Sequence, residues 1–138
     1  MTKMDGKTKG TISEQVIITD LLKKGYSVSK PVGDNDRYDL ILDANNNLIR
    51  LQVKTARVDE TGSIAFSCKS TYKLSGENVS RSYTSDEIDA YGVYCPETED
   101  IAYVDIEQAP KSEMRLREDD PQNQSNLISD HNIEGLLE

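Results

Sequence analysis

Hydrophobic and polar positions alternate most clearly in two adjacent segments, Tyr38-Asp39-Leu40-Ile41-Leu42-Asp43 and Leu48-Ile49-Arg50-Leu51-Gln52-Val53-Lys54, separated by the run Asn45-Asn46-Asn47. Asn tolerates the positive φ of tight two-residue turns, so the pattern predicts a β-hairpin. With the turn at Asn45-Asn46, Asp39 lies opposite Gln52, Leu40 opposite Leu51 and Leu42 opposite Ile49. Moving the turn to Asn46-Asn47 preserves side-chain parity, because strand side chains alternate faces with period two. One face then carries Tyr38, Leu40, Leu42, Ile49, Leu51 and Val53; the other carries Asp39, Ile41, Asp43, Leu48, Arg50, Gln52 and Lys54. The first is a core face. The second collects a carboxylate, an amide and an ammonium.

Upstream, a helix is predicted from about Ser13 to Lys24, opened by the capping-box spacing Thr11-Ile12-Ser13-Glu14 and closed by Gly25. Its apolar stripe contains Ile17, Ile18, Leu21 and Leu22, and Glu14 shares that face, so a carboxylate is aimed at the sheet. The capping box gives Glu14 a second role, as the partner of Thr11. Residues 1–10 read as a flexible tail and residues 11–138 as one domain. Short strands are predicted at Tyr26–Ser29, Ser63–Cys68, Tyr91–Cys95 and Ile101–Ile106, with a breaker-rich loop from Pro31 to Asp36. The polar stretch 70–85 is expected to be a loop, Asp86–Ala90 a single helical turn, and Ser125–Leu137 a terminal helix, while the pattern fades beyond Pro110. This order predicts a mixed α/β domain, a central sheet flanked by helices.

A chain of 138 residues can bury one core without disulfides or structural metal. Cys68 and Cys95 stand far apart, outside any metal-ligand spacing, and read as buried thiols. No apolar run approaches the length needed to span a bilayer and residues 1–10 lack a signal-peptide core, so a cytoplasmic protein with no membrane partner is expected. The net charge of −9 at first opposes a polyanionic partner. Its distribution changes the picture: residues 1–49 are neutral, residues 50–85 carry +3 and residues 86–138 carry −12. The middle third, with Arg50, Lys54, Arg57, Lys69, Lys73 and Arg81, is the segment suited to phosphates, although an ordinary solvated surface has the same composition. The single histidine, His131, excludes histidine triads and histidine metal clusters and reads as structural or exposed. Tyr83, Tyr91, Tyr94 and Tyr103 read as packing residues.

The ordered set Glu14, Tyr38-Asp39-Leu40 and Gln52-Val53-Lys54-Thr55 resembles the PD-(D/E)xK nuclease superfamily. The Gln-x-Lys-Thr form, Gly25-Tyr26 and Asp89-Ala90-Tyr91-Gly92-Val93-Tyr94 are most similar to its intron-encoded homing endonuclease branch; the framework is shared with archaeal Holliday junction resolvases. The resemblance runs from about Gly10 to Asn132 and includes Met114-Arg115-Leu116-Arg117 followed by Asn123-Gln124. It implies a restriction-endonuclease-like sheet and metal-dependent hydrolysis of DNA phosphodiester bonds. Mg²⁺, replaceable by Mn²⁺, would be held by Glu14, Asp39, Gln52 and the Val53 carbonyl, and Lys54 would polarise water or neutralise phosphate charge. Arg57, Lys69, Lys73 and Arg81 would contact DNA, with a homodimer or higher homo-oligomer addressing both strands of a duplex. Such a protein would be nucleoid-associated. Two departures stand out: Gln52 replaces an acidic residue, removing a negative charge from the metal site, and no Pro precedes Asp39. Branched-DNA resolution and a catalytically silent binding module are the alternatives.

Overall fold

The computed structural model describes residues 4–33, 36–119 and 126–138, in which one long helix packs on a five-stranded mixed sheet. The elements are α1 (Gly6–Lys23), β1 (Ser27–Ser29), β2 (Leu40–Ala44), β3 (Asn47–Thr55), β4 (Arg57–Val58), β5 (Ile64–Ser67), β6 (Lys69–Leu74), β7 (Glu77–Ser82), β8 (Ala90–Cys95), β9 (Asp100–Asp105), β10 (Glu113–Arg117), β11 (Asn126–Leu127) and α2 (Ile133–Leu136). The main sheet has the order β1-β2-β3-β8-β9, with β3 and β8 parallel and the other neighbours antiparallel. A second sheet, β11-β10-β5-β4, covers its other face, within the mixed α/β architecture expected.

The β2–β3 hairpin follows the Asn45-Asn46 register, with Leu40 opposite Leu51 and Leu42 opposite Ile49. Both turn residues have positive φ, 53° and 74°, the conformation that makes Asn suitable there. Leu40, Leu42, Leu51 and Val53 pack with Ile17, Leu21, Tyr103 and Ile133 on the helical side. Phe66, Tyr91, Val93, Val104, Met114 and Leu116 fill the space between the two sheets. Tyr38 belongs to this second cluster rather than to the face of Leu40, because the chain bends before β2 starts and the strand alternation does not reach it.

α1 begins seven residues before the expected Ser13. Asp5 is its N-cap, accepting the Thr8 N–H at 2.7 Å, a stronger start than Thr11, whose hydroxyl instead donates to the Lys7 carbonyl within the helix. Residues 6–10, expected in a tail, are therefore helical, and Glu14 is not the partner of a Thr11 cap. The buried stripe is Ser13, Ile17 and Leu21 at four-residue spacing, while Leu22 is 54% exposed. Ile17 rests on Gly92 of β8: a methyl at position 92 would meet Ile17 Cγ2 at 3.2 Å, so the absent side chain lets helix and sheet approach closely.

The expected loop 70–85 contains the β6–β7 hairpin, closed by Ser75 and Gly76, both at positive φ. Its strands are polar on the face of Lys69, Thr71, Lys73, Asn78, Ser80 and Ser82, which hides the usual hydrophobic alternation. In place of a helical turn over Asp86–Ala90, a turn at 84–88 is held by the Thr84 carbonyl, which accepts the Glu87 and Ile88 N–H, and Ala90 already begins β8. In place of the expected terminal helix, the described part of 125–137 holds β11, a single 3₁₀ turn at Ile128–Asp130, and the one-turn α2, restarted by the Asn132 cap on Gly135 N–H. Met114-Arg115-Leu116-Arg117 forms β10, and Asn123-Gln124 lie outside the described residues. Cys68 and Cys95 are buried free thiols. His131 is 5% exposed, and burial lowers its pKa, favouring the neutral ring. Among the described residues no helix is long and apolar enough to cross a membrane.

Candidate active site

The sequence-selected residues gather where β2 begins and β3 ends. The Asp39 main-chain N–H donates to the Leu51 carbonyl at 2.8 Å, breaking the regular ladder just before Leu40. The Val53 N–H, left without its strand partner, donates to Asp39 Oδ2 at 2.9 Å. One carboxylate oxygen thus fastens Asp39 against the Gln52-Val53-Lys54 segment. Glu14 reaches the same region from α1, beside Ser13, whose fully buried hydroxyl lies 2.6 Å from that of Thr55 at the end of β3. This hydroxyl pair fixes the helix against the strand that carries Lys54.

Glu14 and Asp39 share a cleft of about 290 Å³ with Lys30, Pro31, Gly33, Asp36 and Tyr38. Lys30 forms an ion pair with Glu14. Burial pushes the Asp39 carboxyl above its ordinary pKa; the Val53 N–H counteracts this, and the Glu14 charge adds to the rise. Of the cleft's three carboxylates, Glu14 and Asp39 therefore cost free energy to ionise together. Gln52 Nε2 donates to the Val53 carbonyl at 3.4 Å. The available donors are carboxylate, amide and carbonyl oxygens, the ligand chemistry of a hard divalent cation, and such a cation offsets the burial and the Glu14 charge that raise Asp39. Among the described residues no group of three or more acidic, cysteine or histidine side chains is arranged to hold a metal ion.

Lys54 occupies a half-buried position. Its Nζ donates to the Lys69 carbonyl at 2.8 Å and lies 5.0 Å from the centroid of the Tyr83 ring. Burial lowers its pKa and Arg37 adds to that fall, while Cys68 and Asp39 oppose it. Arg37 itself lies 4.1 Å from the Tyr83 centroid, donates to the Ser82 carbonyl at 3.2 Å and pairs with Glu87 at 3.2 Å. Lys30, Arg37 and Tyr83 were not selected from sequence, because their partners come from distant segments. The only prior signal for Arg37 is a basic residue set among acidic ones two positions before Asp39.

The basic middle segment divides. Arg50 is structural: its guanidinium and main-chain N–H bind Asp89, and the guanidinium also reaches the Ser85 and Asp86 carbonyls. Arg57 pairs with Glu113 at 3.3 Å and Arg81 with Glu87. Lys69 and Lys73 share the polar face of the β6–β7 hairpin, with Arg81 on the opposite face. Among the described residues neither lysine has an ion-pair partner. A larger depression, about 640 Å³, lies beside Arg115 and Arg117 and contains none of the selected residues.

A carboxylate just before β2, a Gln-x-Lys on the antiparallel neighbour β3 and a glutamate of α1 lie together at one end of this sheet. The sequence matches the profile of the PD-(D/E)XK endonuclease family over residues 4–132, and the chain belongs to that family. Among solved structures it is similar to a bacterial homing endonuclease, I-Ssp6803I, with 27% identity and a TM-score of 0.79 over 93% of this chain and 88% of that one. No curated protein matches the sequence at a significant level.

Proposed function

We propose that this chain is a divalent-metal-dependent endonuclease that hydrolyses phosphodiester bonds of duplex DNA, with Glu14, Asp39, Gln52 and Lys54 as its catalytic set. The observation that carries this reading is the Asp39–Val53 hydrogen bond, which couples the strand carboxylate to the Gln52-Val53-Lys54 segment beside Glu14. Asp39, Glu14, Gln52 and the Val53 carbonyl would hold Mg²⁺, or Mn²⁺ in its place. The ion supplies Lewis-acid stabilisation of phosphoryl charge and a more acidic water. Lys54 brings a positive group to the scissile phosphate or orients the attacking water, once it leaves the Lys69 carbonyl. Glu14 must likewise exchange its contact with Lys30 for the ion. Gln52 supplies an oxygen but no charge, which lowers metal affinity relative to an acidic residue.

Arg57, Lys69, Lys73 and Arg81 are the proposed phosphate contacts. The fully polar face of β6–β7, on which Lys69 and Lys73 have no carboxylate partner among the described residues, suits a two-stranded ribbon laid against DNA. A homodimer or higher homo-oligomer places one site on each strand. The likeness to a protein described as a homing endonuclease favours a duplex target over a branched one.

A plasmid-nicking assay tests this reading: wild type cleaves in Mg²⁺ and not in chelator, and Lys54→Ala loses cleavage. Equal DNA integrity with both proteins across metals and salt concentrations would end the enzyme reading, and retained DNA binding would then mark a silent binding module. Four-way junctions offered beside linear duplex separate a resolvase from a duplex endonuclease.

A further inference from the structure

Both roots of the β6–β7 hairpin are tied to the candidate site. At the β6 root, the Lys69 carbonyl accepts Lys54 Nζ at 2.8 Å. At the β7 root, the Ser82 carbonyl accepts Arg37 Nη2 at 3.2 Å. Tyr83, the next residue, presents its ring to both cations, with the Arg37 guanidinium carbon 4.1 Å and Lys54 Nζ 5.0 Å from the centroid. The negative face of an aromatic quadrupole attracts a cation most strongly where water is partly excluded, as at this half-buried lysine. The ring is itself held. Tyr83 packs edge-on against Tyr91, with centroids 5.8 Å apart and planes at 85°, and the fully buried Tyr91 hydroxyl donates to the Cys68 carbonyl at 3.3 Å. Cys68 immediately precedes Lys69. The contacts therefore run from β8 through Tyr91 and Tyr83 to Lys54, and from Lys54 back to the hairpin root.

We propose that Tyr83 is a positioning residue for Lys54, and that the Lys69 carbonyl and the Tyr83 ring make the seat of the Lys54 ammonium depend on the placement of the β6–β7 hairpin. The proposal rests on the nuclease reading, in which Lys54 acts on the scissile phosphate and the hairpin meets DNA. A hairpin that shifts against DNA carries the Lys69 carbonyl with it. Lys54 then exchanges a main-chain acceptor for a phosphate oxygen while the Tyr83 ring continues to bound its reach. Recognition by the hairpin and arming of the lysine become one event, since the same short segment contains both.

The test compares wild type, Tyr83→Phe and Tyr83→Leu by a spectroscopic and a kinetic readout. In metal-free protein with ¹³C-labelled lysine, the ε-methylene protons of Lys54 resonate upfield of the other lysines because of the ring current. Tyr83→Phe retains that displacement and Tyr83→Leu abolishes it. In cleavage assays Tyr83→Phe stays within about twofold of wild type, whereas Tyr83→Leu lowers kcat on the order of tenfold to a hundredfold, the scale of a misplaced reacting group. KM and metal-free DNA affinity, read by fluorescence anisotropy, change by no more than about twofold. An unshifted Lys54 resonance in wild type overturns the proposal. So does a folded Tyr83→Leu protein that keeps kcat, or one whose loss lies wholly in KM. If Tyr83→Leu does not fold, Tyr83→Met replaces it with the same outcomes. A wild type that cleaves nothing but shows the displaced resonance refutes the nuclease reading and still supports the positioning.

Discussion

Replacing Ser13 by Ala removes one half of a buried hydroxyl pair and nothing else. Ser13 is fully buried and its oxygen lies 2.6 Å from that of Thr55. In the variant the hydroxyl of the half-buried Thr55 loses its partner, a penalty at the lower end of about 1–3 kcal/mol because water reaches part of that residue. For a domain of this size that lowers Tm by roughly 3–5 °C for each kcal/mol. Thr55→Val costs a similar amount for the converse reason. The double variant Ser13→Ala/Thr55→Val leaves neither hydroxyl stranded, and exchanging both partners for apolar groups of similar shape is close to neutral. Its destabilisation should therefore be smaller than the sum of the single effects by about 1 kcal/mol or more. Urea unfolding of the four proteins gives the cycle. Single effects that add within about 0.3 kcal/mol would show that the pair does not join α1 to β3 energetically, and the argument that it fixes Glu14 relative to Lys54 would fail.

Two further predictions concern the site itself. Burial and the nearby Glu14 charge raise the Asp39 pKa above its ordinary 3.8 in the folded chain. The stability it contributes is therefore present at pH values below 3.8 and lost as pH rises through the raised folded value. Asp39→Asn, which can still accept from Val53 N–H, should raise Tm at neutral pH in metal-free buffer while abolishing cleavage, with the Tm gap closing in acid; a lower Tm at neutral pH would contradict this. Gln52→Glu adds a charge to a ligand set that has only two, so half-maximal cleavage should need roughly five- to tenfold less Mg²⁺, corresponding to about 1 kcal/mol of added attraction. A metal titration with an unchanged midpoint would remove Gln52 from the site.

The β2–β3 hairpin was legible because its aliphatic parity and Asn turn agree, and the resulting register brings Asp39, Gln52 and Lys54 to one end of the sheet. The start of α1 was not: Asp5 stands ahead of a Gly- and Lys-rich stretch without apolar periodicity, and the first two turns are exposed. The β6–β7 hairpin escaped notice because it is polar on a whole face and held by backbone pairing, not by an alternating core. Of the second sheet, β5 was legible in Ser63–Cys68, whereas β4, β10 and β11, of two to five residues, are too short for periodicity to declare them. Glu14 could be aimed at the sheet from helical spacing alone. Lys30, Arg37 and Tyr83 could not, because what they touch is determined by the packing of segments as much as 50 residues apart. Arg50 illustrates the reverse error: composition placed it in a basic patch, and the five hydrogen bonds it donates to residues 85–89 make it a clamp between β3 and the turn before β8.

The central claim is that Asp39 and the Gln52-Val53-Lys54 strand form a divalent-cation site. Anomalous diffraction from crystals soaked in Mn²⁺ tests it most directly. The account predicts a peak bonded to Asp39 and the Val53 carbonyl, absent in Asp39→Asn. Crystals of a cleavage-competent protein that bind Mn²⁺ elsewhere, with nothing beside Asp39, would contradict it.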